Sequence, residues 1–355
     1  YESVIDKNNH LTSPLGDDHA LLTRCGYKMG KVPNQDRSLI AHLSLGKSDK
    51  RALLMGIFDG HGPRGHVVSH YIALELPRIF AKIMRQKQKS LNQSLLDSIG
   101  DPTKEGAMVR NIRQAFNETF LEVDAHEPIK GTGGSTASTL FYPGLGSKVY
   151  IANAGDSTTL IARYSKSQKT SAIIFKNVPH KPHLEGERAR IERAGGRVMI
   201  PPSILLGGGG GDEPKETSRV MIPDPDGGPF GGLALAMSRS IGDFDGKSAG
   251  LIAEPDVIPW DVNDYYENTS PEEKDDSMFF AVVASDGVYD FLKPGIVVDY
   301  LGRSLYHDGS GSDISPLEAC ERIIREASRM WARASMGGMP YRDDITMGVS
   351  KLNLS

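Results

Sequence analysis

Four aspartates in this sequence each stand at the end of a short apolar run or directly beside one. They are Asp36, Asp59, Asp286 and Asp343. Carboxylates only a few ångströms apart cannot all stay ionised unless a cation lies between them. If the fold brings these positions together, they form an oxygen-only site for a hard divalent cation such as Mg²⁺ or Mn²⁺. No cysteine or His-x-x-x-His pair joins the set, so zinc fits poorly.

A local explanation competes for each aspartate taken singly, because aspartates often stabilise turns through their own backbone. The Asp-Gly pairs at 59–60 and 286–287 are common turn dipeptides. The fourfold recurrence of the pattern favours a shared site over four separate turns. Asp156, which follows Ala154-Gly155, could belong to the same cluster or to a turn.

His61 is the candidate proton donor, since it lies between two glycines and two positions after Asp59. Imidazole transfers protons well near neutral pH. A hydrolase that releases a serine or threonine alkoxide, which is a poor leaving group, benefits from an acid at this point. The spacing alone leaves a catalytic and a structural role equally open.

Apolar runs and helical spacing predict the elements that must position these side chains. Strands are predicted at 38–45, 52–58, 136–141, 148–153, 278–284 and 345–352. Helices are predicted at 65–88, with a break or kink at Pro77, and at 106–126, 184–194 and 316–334. The strands come in groups with helices between the groups, which favours a mixed or antiparallel α+β fold over a doubly wound one.

Composition excludes several classes of protein. The 355 residues carry a formal net charge of −4, which argues against a dedicated nucleic-acid binder. No run approaches the roughly 18 apolar residues of a membrane span. Two cysteines cannot make a disulfide framework, so we expect a reducing compartment, cytoplasmic or nuclear. The chain begins at Tyr1, and we expect that a targeting signal could have been removed before it.

Glycine-rich segments complete the pattern. Gly131–Thr136 lacks the Gly-Lys-Ser/Thr of a phosphate-binding loop and precedes a predicted strand, so a turn explains it better. From 201 to 232 the chain is rich in Gly and Pro, with five consecutive glycines at 207–211. So long a loop in a compact domain is usually functional or disordered.

Seven blocks of this sequence closely resemble the metal-dependent Ser/Thr protein phosphatases of the 2C type (the PPM family), and they occur in the order of that family. The blocks are Pro33–Asp36, Phe58–Gly62, Gly131–Ala137, Ala152–Ser157, Leu235–Asp243, Ala284–Gly287 and Arg342–Thr346. Together they extend over about 310 residues, which makes the resemblance highly specific.

The resemblance implies a four-layer α-β-β-α sandwich, in which two antiparallel sheets lie between helices. It implies a single phosphatase domain over 25–355 after an N-terminal extension at 1–24, with a flap insert at about 184–232 and an acidic surface loop at about 261–277. We expect a monomer without a transmembrane segment, acting on phosphorylated proteins.

The resemblance also implies a binuclear Mn²⁺ or Mg²⁺ centre. Asp59 would bridge the two ions, and the Gly60 carbonyl would bind one of them. Asp36, Asp286 and Asp343 would complete the shell directly or through water, and Asp156 would hold a weaker third ion together with Asp286. A hydroxide between the metals would attack the phosphorus, and His61 would protonate the leaving oxygen.

Three positions depart from the common family pattern. Lys31 stands where many relatives anchor the phosphate with arginine, which gives a point charge in place of a planar two-pronged donor. Gln35 replaces a common glutamate, and Asp344 replaces a common asparagine. We assign Lys31 to the catalytic set as the predicted phosphate anchor.

Two other functions stay open. The first is a catalytically weak or inactive family member that serves as a binding or regulatory module. The presence of Asp36, Asp59, His61, Asp286 and Asp343 argues against this function. The second is a phosphatase of a non-protein phosphoester, which these residues do not exclude.

Overall fold

The computed structural model describes residues 18–27, 33–44, 52–90, 102–131, 133–144, 146–200, 218–223, 232–267, 269–306, 314–334 and 341–354. Two predictions fall on other residues. The predicted phosphate anchor, Lys31, and the five glycines at 207–211 both lie outside the described residues.

Within the described ranges, strands and helices succeed one another in groups. The strands are β1 (His19–Arg24), β2 (Asp36–Leu43), β3 (Ala52–His61), β4 (Gly134–Ser135), β5 (Ala137–Tyr142), β6 (Lys148–Ala154), β7 (Thr158–Ser165), β8 (Thr170–Lys176), β9 (Arg197–Met199), β10 (Arg219–Pro223), β11 (Gly232–Leu235), β12 (Ile241–Gly242), β13 (Asp256–Asp261), β14 (Ser277–Ala284) and β15 (Ile345–Leu352). The helices are α1 (Gly65–Ser90), α2 (Pro102–Ala125), α3 (Glu185–Arg193), α4 (Phe244–Lys247), α5 (Val262–Tyr266), α6 (Pro271–Asp276), α7 (Asp286–Tyr289), α8 (Pro294–Leu305) and α9 (Pro316–Arg333).

The strands form two large antiparallel sheets and one small one. The first large sheet has the order β1-β15-β14-β7-β8. The second has the order β12-β4-β3-β5-β6-β13, with β2 paired to β3. The small sheet, β11-β10-β9, follows α3 in the region of the predicted flap.

The two large sheets pack face to face, and helices cover their outer faces. The position of strand β14 explains why its sequence is apolar throughout. Phe280 and Val282 pack towards α8 and α9, whereas Phe279 and Val283 pack between the sheets. A strand buried on both faces cannot alternate polar and apolar residues. Helices α1 and α2 cover the second sheet in the same way. These layers confirm the predicted four-layer α-β-β-α sandwich.

Most predicted elements match the structure within a few residues, and some differ for identifiable reasons. Strand β3 continues past Phe58 to His61, because Gly60 and His61 pair with β4. Helix α1 does not break at Pro77. The flanking Leu76 and Phe80 are fully buried against the sheet, and this packing offsets the lost backbone hydrogen bond.

Three regions without a predicted element are ordered into short ones. Strand β1 lies in the predicted N-terminal extension at 1–24 and pairs with β15. The predicted acidic loop at 261–277 contains α5 and α6. The Ser270 side chain accepts a hydrogen bond from the Glu273 N–H group, and Pro271 occupies the first turn, so the start of α6 was readable as a capping box. Within the flap region, β10 and β11 pair through Val220 and Leu235.

No helix in the part of the chain that the structure describes is long and apolar enough to cross a membrane.

Candidate metal centre

The first two candidate ligands face each other across a pair of strands. Strands β2 and β3 are antiparallel, and Asp36 lies directly opposite Asp59. Residues opposed in this way point to the same face, with Cβ atoms about 4.5–5.5 Å apart. Asp36 is only 1% exposed, and its Oδ2 accepts a hydrogen bond of 2.9 Å from the Ser285 hydroxyl group. The register therefore places two carboxylates side by side at the end of β3.

The other two candidates arrive from the first sheet. Asp286 begins α7 directly after β14, and Asp343 lies two residues before β15. The Ser285 N–H group donates to the Thr346 carbonyl over 2.9 Å, which ties the end of β14 to β15. Because Ser285 also binds Asp36, this one residue joins the two sheets at the site.

Mutual repulsion marks these acids as one cluster. Burial and the neighbouring charges of Asp344 and Asp343 raise the pKa of Asp36 to about 7. Burial, followed by the charges of Asp36, Asp286, Asp343 and Asp156, raises the pKa of Asp59 well above its ordinary value. Burial and nearby carboxylates also raise the pKa of Asp286. A divalent cation would relieve this repulsion.

Among the described residues, no three His, Cys, Asp or Glu side chains form a ready-made ligand group around one point. The donors that converge are nonetheless all oxygen atoms, and Asp59 and Asp286 are partly exposed to the cleft. Hard divalent cations bind few protein carboxylates and keep several waters. This donor chemistry fits Mg²⁺ or Mn²⁺ held by Asp59, Asp286 and Asp343, with Asp36 beside them.

The end of β3 and the turn that follows it leave no room for a side chain at Gly60. A Cβ atom there would lie 2.5 Å from the Gly65 carbonyl oxygen and 2.6 Å from that of Gln35. Gln35 closes this turn, because its Nε2 donates to the Gly62 carbonyl over 2.7 Å. A glutamate at position 35 could not donate this hydrogen bond. The departure from the family pattern thus adds a hydrogen bond to the backbone of this turn at Gly62.

Asp344 has a matching backbone role. Its Oδ2 accepts from the Gln35 N–H group over 2.9 Å, and its Oδ1 accepts from the Gly26 N–H group over 2.5 Å. The two departures from the family pattern therefore touch each other, and the charge of Asp344 is directed at backbone donors beside the cluster.

His61 is paired with an acid that sequence reasoning did not select. Its Nε2 lies 2.7 Å from Oδ2 of Asp243, and the Asp243 side chain is fully buried. Burial alone would lower the pKa of His61, but the carboxylate of Asp243 outweighs it and raises that pKa. Burial would raise the pKa of Asp243, but the charge and hydrogen bond of His61 oppose it, and the pKa of Asp243 is lowered. The pair therefore favours a protonated imidazole, which is the form that a general acid needs.

The fold accepts backbone strain to place Asp243. Its φ of 49° lies in the left-handed region, which aspartate tolerates better than most residues. Its carboxylate makes no cap hydrogen bond to α4 and instead receives the Ser240 hydroxyl group over 2.6 Å. A Cβ atom at Gly134 would collide with Asp243 Oδ2. This contact explains the glycine at 134, where the segment forms strand β4 with Ser135.

Asp156 lies in the same cleft but is already neutralised by a cation. Its Oδ2 is 2.7 Å from Lys181 Nζ, and its side chain is 3% exposed. Burial would raise the pKa of Asp156, but the charge and hydrogen bond of Lys181 lower it instead. Its role as a ligand for a third ion stays a prediction.

Comparison with known proteins places this geometry in a family. The profile of the family described as "Protein phosphatase 2C" matches residues 34–336. The chain belongs to the protein phosphatase 2C family. It is 30% identical over 300 residues to "Probable protein phosphatase 2C 73" of Oryza sativa subsp. japonica, covering 80% of this chain and 62% of the relative. It is also 30% identical over 290 residues to "Probable protein phosphatase 2C 34" of Arabidopsis thaliana, covering 80% and 68%.

A solved structure shares the fold of this phosphatase 2C chain. The serine-threonine phosphatase 2C from Toxoplasma gondii superposes with a TM-score of 0.69 at 18% identity, covering 94% of each chain. The chain spans 54–62% of the length of the first three curated relatives that it matches. The predicted resemblance to the 2C family is thus confirmed.

Several residues of this phosphatase 2C site escaped sequence reasoning. Ser285, Lys181 and Thr136 are further examples besides Asp243. The Asp59 N–H group donates to the Thr136 hydroxyl oxygen over 3.1 Å, and the Thr136 N–H group donates to the Asp59 carbonyl over 2.9 Å. Ser285, Thr136 and Asp243 lie inside family blocks, so position in a block was the available signal for them, whereas Lys181 lies outside every block. No spacing rule connects them to the acids and to His61, because the contacts join residues far apart in the chain.

Proposed function

We propose that this chain is a Mn²⁺- or Mg²⁺-dependent protein phosphatase that hydrolyses phosphoserine and phosphothreonine monoesters. One observation carries the proposal. Three carboxylates with raised pKa values, the buried Asp36 and the partly exposed Asp59 and Asp286, lie in one cleft with the His61–Asp243 pair.

The acids would hold the two ions in this proposal. Asp59, Asp286 and Asp343 would bind them with the Gly60 carbonyl, while Asp36 would contribute directly or through water. A bound pair of divalent ions supplies water activation and offsets charge on the phosphoryl oxygens. The Ser285 hydroxyl group holds Asp36, and Thr136 holds the backbone of Asp59, so the donors are oriented before any ligand arrives.

His61 would protonate the oxygen of the departing serine or threonine. Asp243 binds Nε2 and thereby fixes the ring, and the other ring nitrogen, Nδ1, is the one left to act. The family resemblance implies that water would attack the phosphorus directly, so no phosphoenzyme intermediate is expected.

The substrate class rests on the relatives, which are named protein phosphatases. Lys31 stays the predicted anchor for the substrate phosphate. We also propose a monomer in a reducing compartment, cytoplasmic or nuclear. The two cysteines support the compartment, because Cys25 is exposed, Cys320 is buried and neither is in a disulfide.

Hydrolysis of a phosphothreonine peptide with Mn²⁺, with Mg²⁺ and after chelation tests the proposal. We expect turnover that requires the divalent ion and is lost in Asp59→Asn. Asp261→Asn is the matched control, because Asp261 is an ion-paired acid at the far end of β6, against Lys148. A chain that binds Mn²⁺ without turnover would instead be a binding or regulatory module.

The same assay separates protein substrates from small phosphoesters. We expect the phosphothreonine peptide to exceed sugar phosphates in kcat/KM. The reverse order would favour the non-protein phosphoester function and would contradict the proposed substrate class.

A further inference from the structure

The ion pair of Asp156 and Lys181 differs from every other contact of the acidic cluster described above. Lys181 Nζ lies 2.7 Å from Asp156 Oδ2, and the lysine side chain is 21% exposed at the cleft. A buried carboxylate needs a cation or several donors to stay ionised. The protein itself supplies that cation here, from a side chain of its own.

The Lys181 ammonium group also acts on Asp286. The charge of Asp286 raises the pKa of Lys181, and the charge of Lys181 opposes the upward shift in the pKa of Asp286. The ammonium group is therefore within electrostatic reach of both acids that the family resemblance assigns to a third, weaker ion. Its hydrogen bond fixes it against Asp156, at 2.7 Å from Oδ2.

The chain fixes the position of this lysine through the preceding residue. The His180 N–H group donates to the Gly155 carbonyl over 3.0 Å, and His180 Nδ1 accepts from the Gly155 N–H group over 3.1 Å. Since Nδ1 accepts, Nε2 carries the proton and donates to Asp256 over 3.1 Å. Asp156 and Lys181 thus come directly after Gly155 and His180, which are hydrogen-bonded to each other. These two hydrogen bonds hold the backbone on both sides of the ion pair.

A further network holds His180 from the flap side. Arg239 bridges Asp256 and Glu187, with Nη1 lying 2.9 Å from Asp256 Oδ1 and Nη2 lying 2.6 Å from Glu187 Oε1. Glu187 belongs to α3, and hydrogen bonds from Arg190, Arg239 and Ser238 lower its pKa to about 2 in spite of its burial. The residue before Lys181 is therefore held by a hydrogen-bond network that extends to α3.

We infer that Lys181 is the resident cation of the Asp156–Asp286 corner, and that a divalent ion binds Asp156 only by displacing the Lys181 ammonium group. The inference rests on the proposed function, because it concerns an additional ion beside the proposed binuclear pair. It gives a physical reason for a weak third site. A divalent ion bound to Asp156 would lie a few ångströms from the ammonium group on Oδ2, and the two positive charges would repel, so the metal must compete with a tethered ammonium group.

Calorimetric titration of the whole chain with Mn²⁺, after chelation and dialysis, tests this competition without an activity readout. We expect Lys181→Met to bind an additional Mn²⁺ ion, or to bind the weakest one about tenfold more tightly than the wild type, since a partly buried ion pair no longer opposes it. Lys181→Arg should behave like the wild type. Asp156→Asn combined with Lys181→Met should lose the gain.

Lys148→Met is the matched control. Lys148 also pairs with a largely buried aspartate, Asp261, but it lies at the opposite end of β6 from Ala154. Removal of its charge should leave every Mn²⁺ affinity unchanged. If Lys181→Met does not fold, Lys181→Gln provides the same test, because it keeps an N–H donor for Asp156 and loses the charge.

The outcomes separate this inference from the proposed function. A wild type that binds no Mn²⁺ would overturn the proposed metal centre. A wild type that binds Mn²⁺, together with a Lys181→Met or Lys181→Gln chain of equal or weaker affinity at every site, would overturn the inference alone. A gain that survives Asp156→Asn would also overturn it, because the extra ion would then bind elsewhere.

Discussion

Aspartates in two corners of one cleft have pKa values shifted in opposite directions. In the corner of Asp36, Asp59 and Asp286, each carboxylate faces further carboxylates, and the pKa of each is raised. In the other corner, burial also acts to raise the pKa of Asp156, but Asp156 pairs with Lys181 and its pKa is lowered. Burial is therefore common to both corners, and the neighbouring charge decides the sign of the shift.

The contrast shows which carboxylates are arranged for a ligand from outside the chain. A carboxylate that is neutralised internally has little to gain from a metal ion, whereas repelling carboxylates gain a great deal. Such repulsion costs stability in the metal-free protein and is typical of functional sites. His61 and Asp243 resemble the second corner, since each supplies the charge that the other needs.

The largest expected effects come from replacing one aspartate in each corner, Asp59 or Asp156, which should change the melting temperature in opposite directions. Asp59→Asn should reduce Mn²⁺-dependent turnover by more than about 100-fold, because a proposed ligand of the metal site is lost. The same change should raise the melting temperature of the metal-free chain, since it removes a repelling charge. Asp156→Asn should lower that temperature, because it leaves Lys181 partly buried without its partner, at a cost of about 1–3 kcal/mol.

Thermal melts of the chelated wild type and both variants provide the measurement. Equal destabilisation by both substitutions would contradict the comparison, because it would mean that Asp59 has a stabilising partner as Asp156 has.

The second expected effect is a dependence of stability on pH. Asp36 keeps its proton up to about pH 7 in the folded chain, against 3.8 for the ordinary group. A raised pKa means that the carboxyl group of Asp36 binds its proton more tightly in the folded state than in the unfolded state. The free energy of unfolding that this proton contributes is fully present below pH 3.8 and is lost as the pH rises towards 7. The loss should be on the order of a few kcal/mol in the metal-free chain.

Urea unfolding of the chelated protein between about pH 5 and about pH 8 measures this loss, since acids with lowered pKa values contribute little to the change above about pH 5. Asp36→Asn should flatten the profile, and added Mn²⁺ should stabilise the wild type more at the higher pH. A metal-free stability that rises across this window would be incompatible with repulsion at Asp36.

The smallest expected effect concerns the second paired acid. Asp243→Asn should lower kcat about tenfold, because the His61 ring loses the charge that favours its protonated form. Mn²⁺ affinity should hardly change, and the acidic limb of the pH profile of kcat should identify the group. Asp245→Asn, an exposed neighbour in α4, is the control. A fall in Mn²⁺ affinity equal to the fall in kcat would assign Asp243 to the metal site.

Local sequence was enough to predict much of the fold. Strand β15 was predicted at its observed bounds, and β14 and β3 were predicted from runs that are apolar on every residue. A strand buried between helices and a second sheet must be apolar on both faces, so its sequence alone reveals it. Strand β1 had no such pattern, because its place depends on pairing with β15 at the far end of the chain.

The sequence by itself determined the family, the four-layer sandwich and the acids that converge, because these depend on residue types in ordered blocks. Only the tertiary structure decided the charge state of those acids. The contacts that set it join Asp36 to Ser285, His61 to Asp243 and Asp156 to Lys181. These partners are far apart in the chain, and electrostatic energy depends on distance in space and on burial, which no local pattern encodes.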